Sequence, residues 1–520
     1  MFATIFKNIW GETRPSPAML AAALILICAT SSSRCAEPVT VSVSTRQPGT
    51  RIPQDALGVS YETSVLLPDA RGVRYFRPDN KPLVTAFRTL GIKNLRTGGN
   101  SVDAANIPVP NEADVQSLFE FARAAGVRVI FSVRLKDGDP QLAAKFAKLI
   151  HDKYADVLDT FAIGNEPYYY KDYAVYTNKW LEIRDAILAV YPEAQFCGPD
   201  QNPHPELITE MVRDFGNSAG RLVQITQHQY PFGCAYQNYR QVDITKLDPV
   251  DATTNRGDGP VLIPYDPAQS RAKMMLPSAY ASYEKVRAGM ADAIAGTEVT
   301  FRLTEVNSFW FSGLKGASDS FASALWGLDY LHWWTAHGAA GLNFHTGDRT
   351  GGTVSMPCRY AVLVTSANGY EIRPLGYGLK LFELAGHGRT LPVEISSAPE
   401  QGLVAYTTLS ESNSVAVTLI NKMDTQADVR IKLDAPAAAG SSAQAIFLTT
   451  PNHDLAAGSS DVRLGGAPIR EDGTWKGTWT SVPLVEARDA VTLTLPPFSA
   501  VAVQIPLPVL QSPPGIPNRL

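Results

Sequence analysis

From about Leu57 to Gly386, short apolar runs alternate with longer stretches of helical period, eight times over, and this rhythm leaves the chain few ways to fold. The runs are rich in Val, Ile, Leu and Phe and show no polar face, as strands buried on both sides require. They predict strands at Ala56–Glu62, Asn94–Gly98, Val127–Arg134, Leu158–Gly164, Gln195–Gly198, Leu222–Gln229, Val299–Glu305 and Gly341–His345. Helical patterns lie between them, among them Glu112–Ala125, Asp139–Tyr154, Tyr173–Val190, Pro205–Phe215, Ser278–Ala295 and Asp319–His337. Several begin at Asp, Ser or Pro and end at Gly126, Gly216, Gly296 or Gly338, the residues that caps require. Eight such units close most simply into a parallel (β/α)₈ barrel, a TIM barrel. An open doubly wound sheet usually carries a glycine-rich phosphate turn after its first strand, and none follows Glu62.

Beyond Gly386 the period changes to strand alternation, as in Gly402–Thr408, Ser414–Asn421, Asp428–Leu433, Val491–Leu495 and Ala500–Ile505. Gly, Pro, Ser and Asn punctuate these runs, which predicts a C-terminal antiparallel β-sandwich. Thr40–Ser44 alternates too and is expected to join it. The expected organisation is a leader over 1–36, an N-terminal strand segment over 37–55, the barrel over 56–388, the sandwich over 389–508 and a tail over 509–520. The long polar stretch Cys234–Met274 reads as an insertion after the sixth strand, on the face where barrel loops build sites.

The leader carries Lys7 and Arg14, then the apolar run Met19–Ala29, then small residues from Thr30 to Ser33. That order is a secretory signal peptide, so a secreted or periplasmic protein with no transmembrane span in its mature form is expected. A retained anchor is the alternative, but the run is short for a membrane span. Cys28 and Cys35 fall in the leader, leaving Cys197, Cys234 and Cys358. These form either one disulfide with a free thiol or three buried thiols. With 46 basic and 50 acidic residues the net charge is −4, which supplies no overall basic field for nucleic acid.

Two segments carry the chemistry. Phe161-Ala162-Ile163-Gly164-Asn165-Glu166-Pro167 and Phe301-Arg302-Leu303-Thr304-Glu305-Val306-Asn307-Ser308 each place a glutamate at the C-terminal end of an apolar strand, the fourth and the seventh. That edge of a barrel is where active sites are built. A pair of carboxylates facing each other there is what glycoside hydrolysis needs, and a separation of about 5 Å gives retention of configuration. Glu166 precedes Pro167-Tyr168-Tyr169-Tyr170, an aromatic collar that suits a general acid kept protonated by desolvation. Glu305 is then the ionised nucleophile, and Tyr230, at the end of the neighbouring sixth strand, is positioned to donate to it or simply to pack.

With these residues in place, the chain resembles the (β/α)₈ clan of retaining glycosidases, and within it glycoside hydrolase family 79, which includes β-glucuronidases and heparanases. The pieces that carry the likeness are Gly58-Val59-Ser60-Tyr61-Glu62, Arg96-Thr97-Gly98-Gly99-Asn100-Ser101-Val102-Asp103, Glu305-Val306-Asn307-Ser308 and Gly341-Leu342-Asn343-Phe344-His345, beside Asn165-Glu166. The resemblance implies an exo-acting β-glycosidase, β-glucuronidase-like, with a carbohydrate as its partner and no cofactor or metal. It implies Glu166 as acid/base, Glu305 as nucleophile and Asn165 on the sugar 2-hydroxyl. Glu62 and Asp103 would grip other hydroxyls, Tyr230 would orient Glu305, and His345 would line the pocket. Alternatively, Glu62 and Asp103 pair with Arg96 or Arg74, and His345 is a satisfied strand-end histidine.

One loop departs from that pattern. Where the family's β-glucuronidases set a Tyr and a Gly against the uronic carboxylate, this chain reads Ser308-Phe309-Trp310-Phe311-Ser312-Gly313-Leu314-Lys315-Gly316. Trp310 occupies the place of the Tyr. Either Lys315, Arg349 or Arg359 recognises a carboxylate instead, or the sugar is neutral, a glucoside or xyloside. Two other classes compete. A sugar-binding protein without catalysis would keep the aromatics and lose a carboxylate, and both are present. A metal-dependent hydrolase needs clustered ligands, and the eight His are scattered along the sequence.

Overall fold

The computed structural model describes residues 38–201, 205–247, 261–349, 355–396, 402–485 and 487–508. The predicted leader over 1–36 and tail over 509–520 lie outside the described residues, as does part of the insertion after the sixth strand. Among the described residues no helix is long and apolar enough to cross a membrane.

Eight parallel strands form a closed barrel: Leu57–Glu62, Asn94–Gly98, Arg128–Val133, Leu158–Ile163, Phe196–Gln201, Leu222–Gln229, Thr300–Val306 and Leu342–His345. Neighbours in the chain are neighbours in the sheet, and the eighth strand pairs with both the seventh and the first. Nearly every strand residue is buried, because side chains alternate between the packed barrel interior and the helix layer. The one notable departure from the predicted bounds is the fifth strand, which continues past Gly198 to Gln201. Pro199 interrupts the apolar pattern in the sequence, and the ladder to the sixth strand shifts register between Gly198 and Gln201.

Cap chemistry sets the helix ends. Asn111 accepts from the amides of Ala113 and Asp114, and the Asp114 side chain answers the Asn111 amide, a reciprocal box that starts the helix Glu112–Ala125. That helix ends at Gly126 in the left-handed region. Asp139 caps Pro140–Tyr154, with proline at its first position.

Two sheets make up the second part of the molecule. Val393–Ile395, Val39–Val43, Ala427–Leu433 and Ala490–Leu495 form one; the other is an eight-stranded sheet that includes Ala443–Thr449, Ser499–Pro506, Ser414–Asn421 and Leu403–Leu409. Their inner faces share a core of Val41, Val417, Leu419, Ile431, Val491 and Val503. The sandwich is not wholly antiparallel as expected: Val39–Val43 runs parallel to Ala427–Leu433. It enters from the other end of the chain, so no hairpin turn dictates its direction.

The helices Phe321–Ala336 and Pro374–Ala385 pack on each other and are apolar around most of their circumference, because barrel and sandwich cover them from both sides. In this layer Asp329 is almost fully buried. It accepts hydrogen bonds from Tyr280 at 2.9 Å and from two sandwich groups, Tyr406 Oη at 2.7 Å and Lys422 Nζ at 2.7 Å. Asp329→Ala strands a buried ammonium and is expected to lower unfolding stability by about 3–5 kcal/mol. Asp329→Leu combined with Lys422→Met is expected to cost far less, and urea unfolding of the two variants reads the difference.

Candidate active site

The C-terminal ends of the barrel strands open into a cavity of about 1320 Å³, and all eight predicted residues line it: Glu62, Asp103, Asn165, Glu166, Tyr230, Glu305, Trp310 and His345. The strand ends deliver them, since Glu62, Val306 and His345 are the last residues of the first, seventh and eighth strands.

Glu305 is held from both sides. Arg96 Nη1 donates to its Oε2 at 2.8 Å and Tyr230 Oη donates to its Oε1 at 2.8 Å. Burial opposes charge on this carboxyl, but the neighbouring His345, His228 and Arg96 and the Tyr230 hydrogen bond outweigh burial and hold it far below the usual carboxylate range. Arg96 does not pair with Glu62 or Asp103, and Arg74 bonds Asp114 instead. Arg96 is fully buried inside the barrel, where it also reaches Ser60, Asn165 Oδ1 at 2.7 Å and Asp200 Oδ2 at 2.8 Å. Gly98 makes room for this fork, because a Cβ there would sit 2.5 Å from Arg96 Cζ.

Glu166 faces Glu305 across the mouth, and the two present carboxylate oxygens within 4.8 Å of one another. His228 Nδ1 lies 2.9 Å from Glu166 Oε1. The Glu166 amide donates to Asp200 O at 2.6 Å, and both Glu166 and Asp200 adopt left-handed backbone, with φ of 44° and 53°. Such non-glycine conformations cost on the order of 1–3 kcal/mol each and concentrate at functional sites. Of the expected collar, Tyr168 and Tyr169 line the cavity. Tyr170 turns away to pack near Tyr176.

Glu62 and His345 form a second buried pair. Glu62 Oε2 accepts from the amide and hydroxyl of Ser101, and Oε1 stands 3.6 Å from His345 Nε2. Burial works against the charge on each. The imidazole nevertheless holds Glu62 below its usual range, and Glu305 and Glu62 hold His345 above its own. Asp103 is more of a brace than expected. Its Oδ1 accepts the amides of Leu135 and Lys136, and its Oδ2 the amide of Asn165 and the hydroxyl of Tyr169. Those four donors tie the ends of the second, third and fourth strands together around Asn165.

Trp310 stands edge-on to Tyr239, with ring centroids 4.6 Å apart, and is followed by Phe311, Ser312 and Gly313, all in left-handed conformation. The cations that line the cavity are Lys136 and Lys285; Lys315, Arg349 and Arg359 are not among its lining residues. Cys197 and Cys358 are buried thiols and Cys234 a half-buried one, with no disulfide among the described residues.

His228, Asp200 and Tyr360 are the groups that the sequence reading gave no role. Arg96 was visible as a charge alternating inward on an apolar strand, and His228 two residues before Tyr230 shares its inward phase. Glu166, His228 and Glu305 each offer one atom that a metal ion could use. Both Glu305 oxygens already accept donors, however, and the fixed charge of Arg96 repels a cation there.

No family model matches the chain, and no curated protein does. Solved structures match in fold. One is the GH51 arabinofuranosidase from Xanthomonas axonopodis pv. citri, with 14% identity, a TM-score of 0.63, and 90% of this chain and 99% of that chain covered. Another is a 4-O-α-L-rhamnosyl-β-D-glucuronidase from Fusarium oxysporum 12S, with 18% identity, a TM-score of 0.61, and 89% and 99% covered. A third is a glycoside hydrolase family 44 xyloglucanase from Paenibacillus polymyxa, with 11% identity, a TM-score of 0.56, and 90% and 99% covered. At these identities the likeness is one of fold.

Removing a donor from ionised Glu305 raises its titration midpoint. Tyr230→Phe is expected to move that midpoint upward by about one pH unit, the worth of one charge-assisted hydrogen bond. Carboxylate ¹³C NMR, with Glu305→Gln to assign the signal, reads it.

Proposed function

We propose that this protein is a retaining, exo-acting β-glycosidase of β-glucuronidase type. The observation that carries the reading is the carboxylate pair: oxygens within 4.8 Å across a barrel mouth, with Glu305 buried between a guanidinium and a phenol. This spacing suits direct attack, whereas inversion needs room for a water between carboxyls about 6.5–9.5 Å apart.

In this reading Glu305 attacks the anomeric carbon as the glycosidic bond breaks, and Glu166 gives its proton to the departing oxygen. Water then opens the glycosyl ester while Glu166 takes the water's proton. Asn165, its oxygen held by Arg96, keeps an amide N–H for the sugar 2-hydroxyl, a contact that strengthens as the ring flattens. His345, poised between Glu62 and Glu305, is placed for another ring hydroxyl. Trp310 and Tyr239 offer the apolar wall on which sugars stack. The leader over 1–36 makes the enzyme an exported one.

The names of the structural neighbours, among them a glucuronidase and arabinofuranosidases, support a glycoside substrate. For the sugar itself, the glucuronide reading rests on the motif resemblance and on the Lys136 and Lys285 cations at the cleft. A neutral sugar is the second reading. It is favoured by the loop after Glu305, which sets Trp310, Phe311 and Ser312 along the cleft with Lys315 exposed and outside it.

A panel of 4-nitrophenyl β-D-glucuronide, β-D-glucoside, β-D-xyloside and α-L-arabinofuranoside separates these readings. Turnover of the glucuronide above the rest is the expected result, and turnover of only neutral sugars moves the assignment to the second reading. Glu166→Ala is expected to lose about 10²–10⁴-fold in rate on poor leaving groups. Glu305→Ala should be inactive, with azide restoring turnover as the glycosyl azide of inverted configuration. Proton NMR of the first product should show the β-anomer, and an α-anomer would overturn retention.

A further inference from the structure

Asp200 is a buried carboxylate on strained backbone, touching groups that serve both reactive glutamates. Its Oδ2 bonds Arg96 and its Oδ1 accepts from Thr304 Oγ1 at 2.5 Å. Its carbonyl holds the Glu166 amide. Its Oδ1 stands 3.9 Å from His228 Nε2, a buried nitrogen with no hydrogen-bond partner of its own, while the opposite ring nitrogen lies 2.9 Å from Glu166. Asp200, His228 and Glu166 therefore lie in a row, carboxylate, imidazole, carboxyl.

A neutral imidazole carries one N–H, and its neighbours choose which nitrogen bears it. The tautomer with its hydrogen on Nε2 turns that N–H toward the anionic Asp200 oxygen 3.9 Å away. Nδ1 is then a bare lone pair, and its contact with Glu166 is a hydrogen bond only when Glu166 supplies the proton. Deprotonated Glu166 would set a carboxylate lone pair against a nitrogen lone pair.

Taking the glycosidase reading as its basis, we propose that Asp200 is a positioning residue. By fixing the His228 tautomer it keeps on Glu166 the proton that the leaving group must receive. In the first step that proton passes from Glu166 to the glycosidic oxygen; in the second, Glu166 recovers one from the attacking water. The proton turns from its hydrogen bond with Nδ1 to the leaving oxygen, and His228 itself transfers none. Arg96, Glu166, Glu305, Tyr176 and Cys197 are the other titratable groups facing this pair.

The test compares wild type with Asp200→Asn and His228→Asn on aryl glycosides of graded leaving-group acidity. A 2,4-dinitrophenol leaves without a proton, whereas phenol needs one. Loss of the tautomer lock is expected to reduce kcat/KM on the phenyl glycoside ~10-fold more than on the dinitrophenyl one, as a lesion in acid catalysis does. It should also draw the alkaline limb of the pH profile to lower pH. A loss equal across leaving groups, as a merely structural role would give, overturns the inference while leaving the glycosidase reading intact. If the wild type turns over no glycoside, the glycosidase reading falls and this inference with it. Should Asp200→Asn fail to fold, ¹⁵N-histidine NMR of the wild type still decides: a protonated Nδ1 in His228 at neutral pH overturns the proposal, and a bare one supports it.

Discussion

The Arg96 guanidinium is the interaction around which the C-terminal end of the barrel is organised. Moving a charge of this kind out of water costs several kcal/mol even after relaxation, so the fold must surround it with matched acceptors or exclude it. Four groups on four strands or strand ends supply them: Ser60, Asn165, Asp200 and Glu305. The planar fork donates to these only in fixed directions, which a lysine could not impose. Each acceptor is thereby aimed, and one of them is the proposed nucleophile.

Around this centre the second layer of polar contacts is as full as the first. Asp103 spends four hydrogen bonds on backbone and a tyrosine to hold Asn165 in place, and Ser101 does the same for Glu62. Such bracing suits a site whose geometry must be set before substrate arrives. The strained φ values at Glu166 and Asp200 belong to the same design. Each lies just past the end of an apolar ladder or at its last turns, and their direct main-chain bond offsets part of the strain. Behind the barrel, the two buried helices and the Asp329–Lys422 pair dock the sandwich on the barrel.

Much of this was legible in one dimension. Apolar runs of strand length, separated by capped helices, leave a barrel as the simplest closure, and the bounds agree to within a residue or so except at the fifth strand. There Pro199 and Asp200 break the apolar pattern, so the run appeared to stop at Gly198. The parallel strand at Val39–Val43 was legible as a strand but not in its direction. A strand's period says which face is buried and nothing about which partner it will meet. Arg96 could be seen as an odd charge on an apolar strand, yet the acidic residues weighed for it, Glu62 and Asp103, were the wrong partners.

The sequence by itself determined where the two carboxylates stand. Glutamates placed at the C-terminal ends of apolar strands four and seven must emerge at one rim of a barrel, because parallel strands all end on the same side. Only the tertiary structure decided what those glutamates feel. Whether a carboxyl is ionised depends on charges and donors within a few ångströms, and Arg96, Tyr230 and His228 reach that range across 62 to 209 positions of chain. Periodicity records burial along a strand. Electrostatic environment is a property of the closed barrel, where eight separate strand ends become one surface.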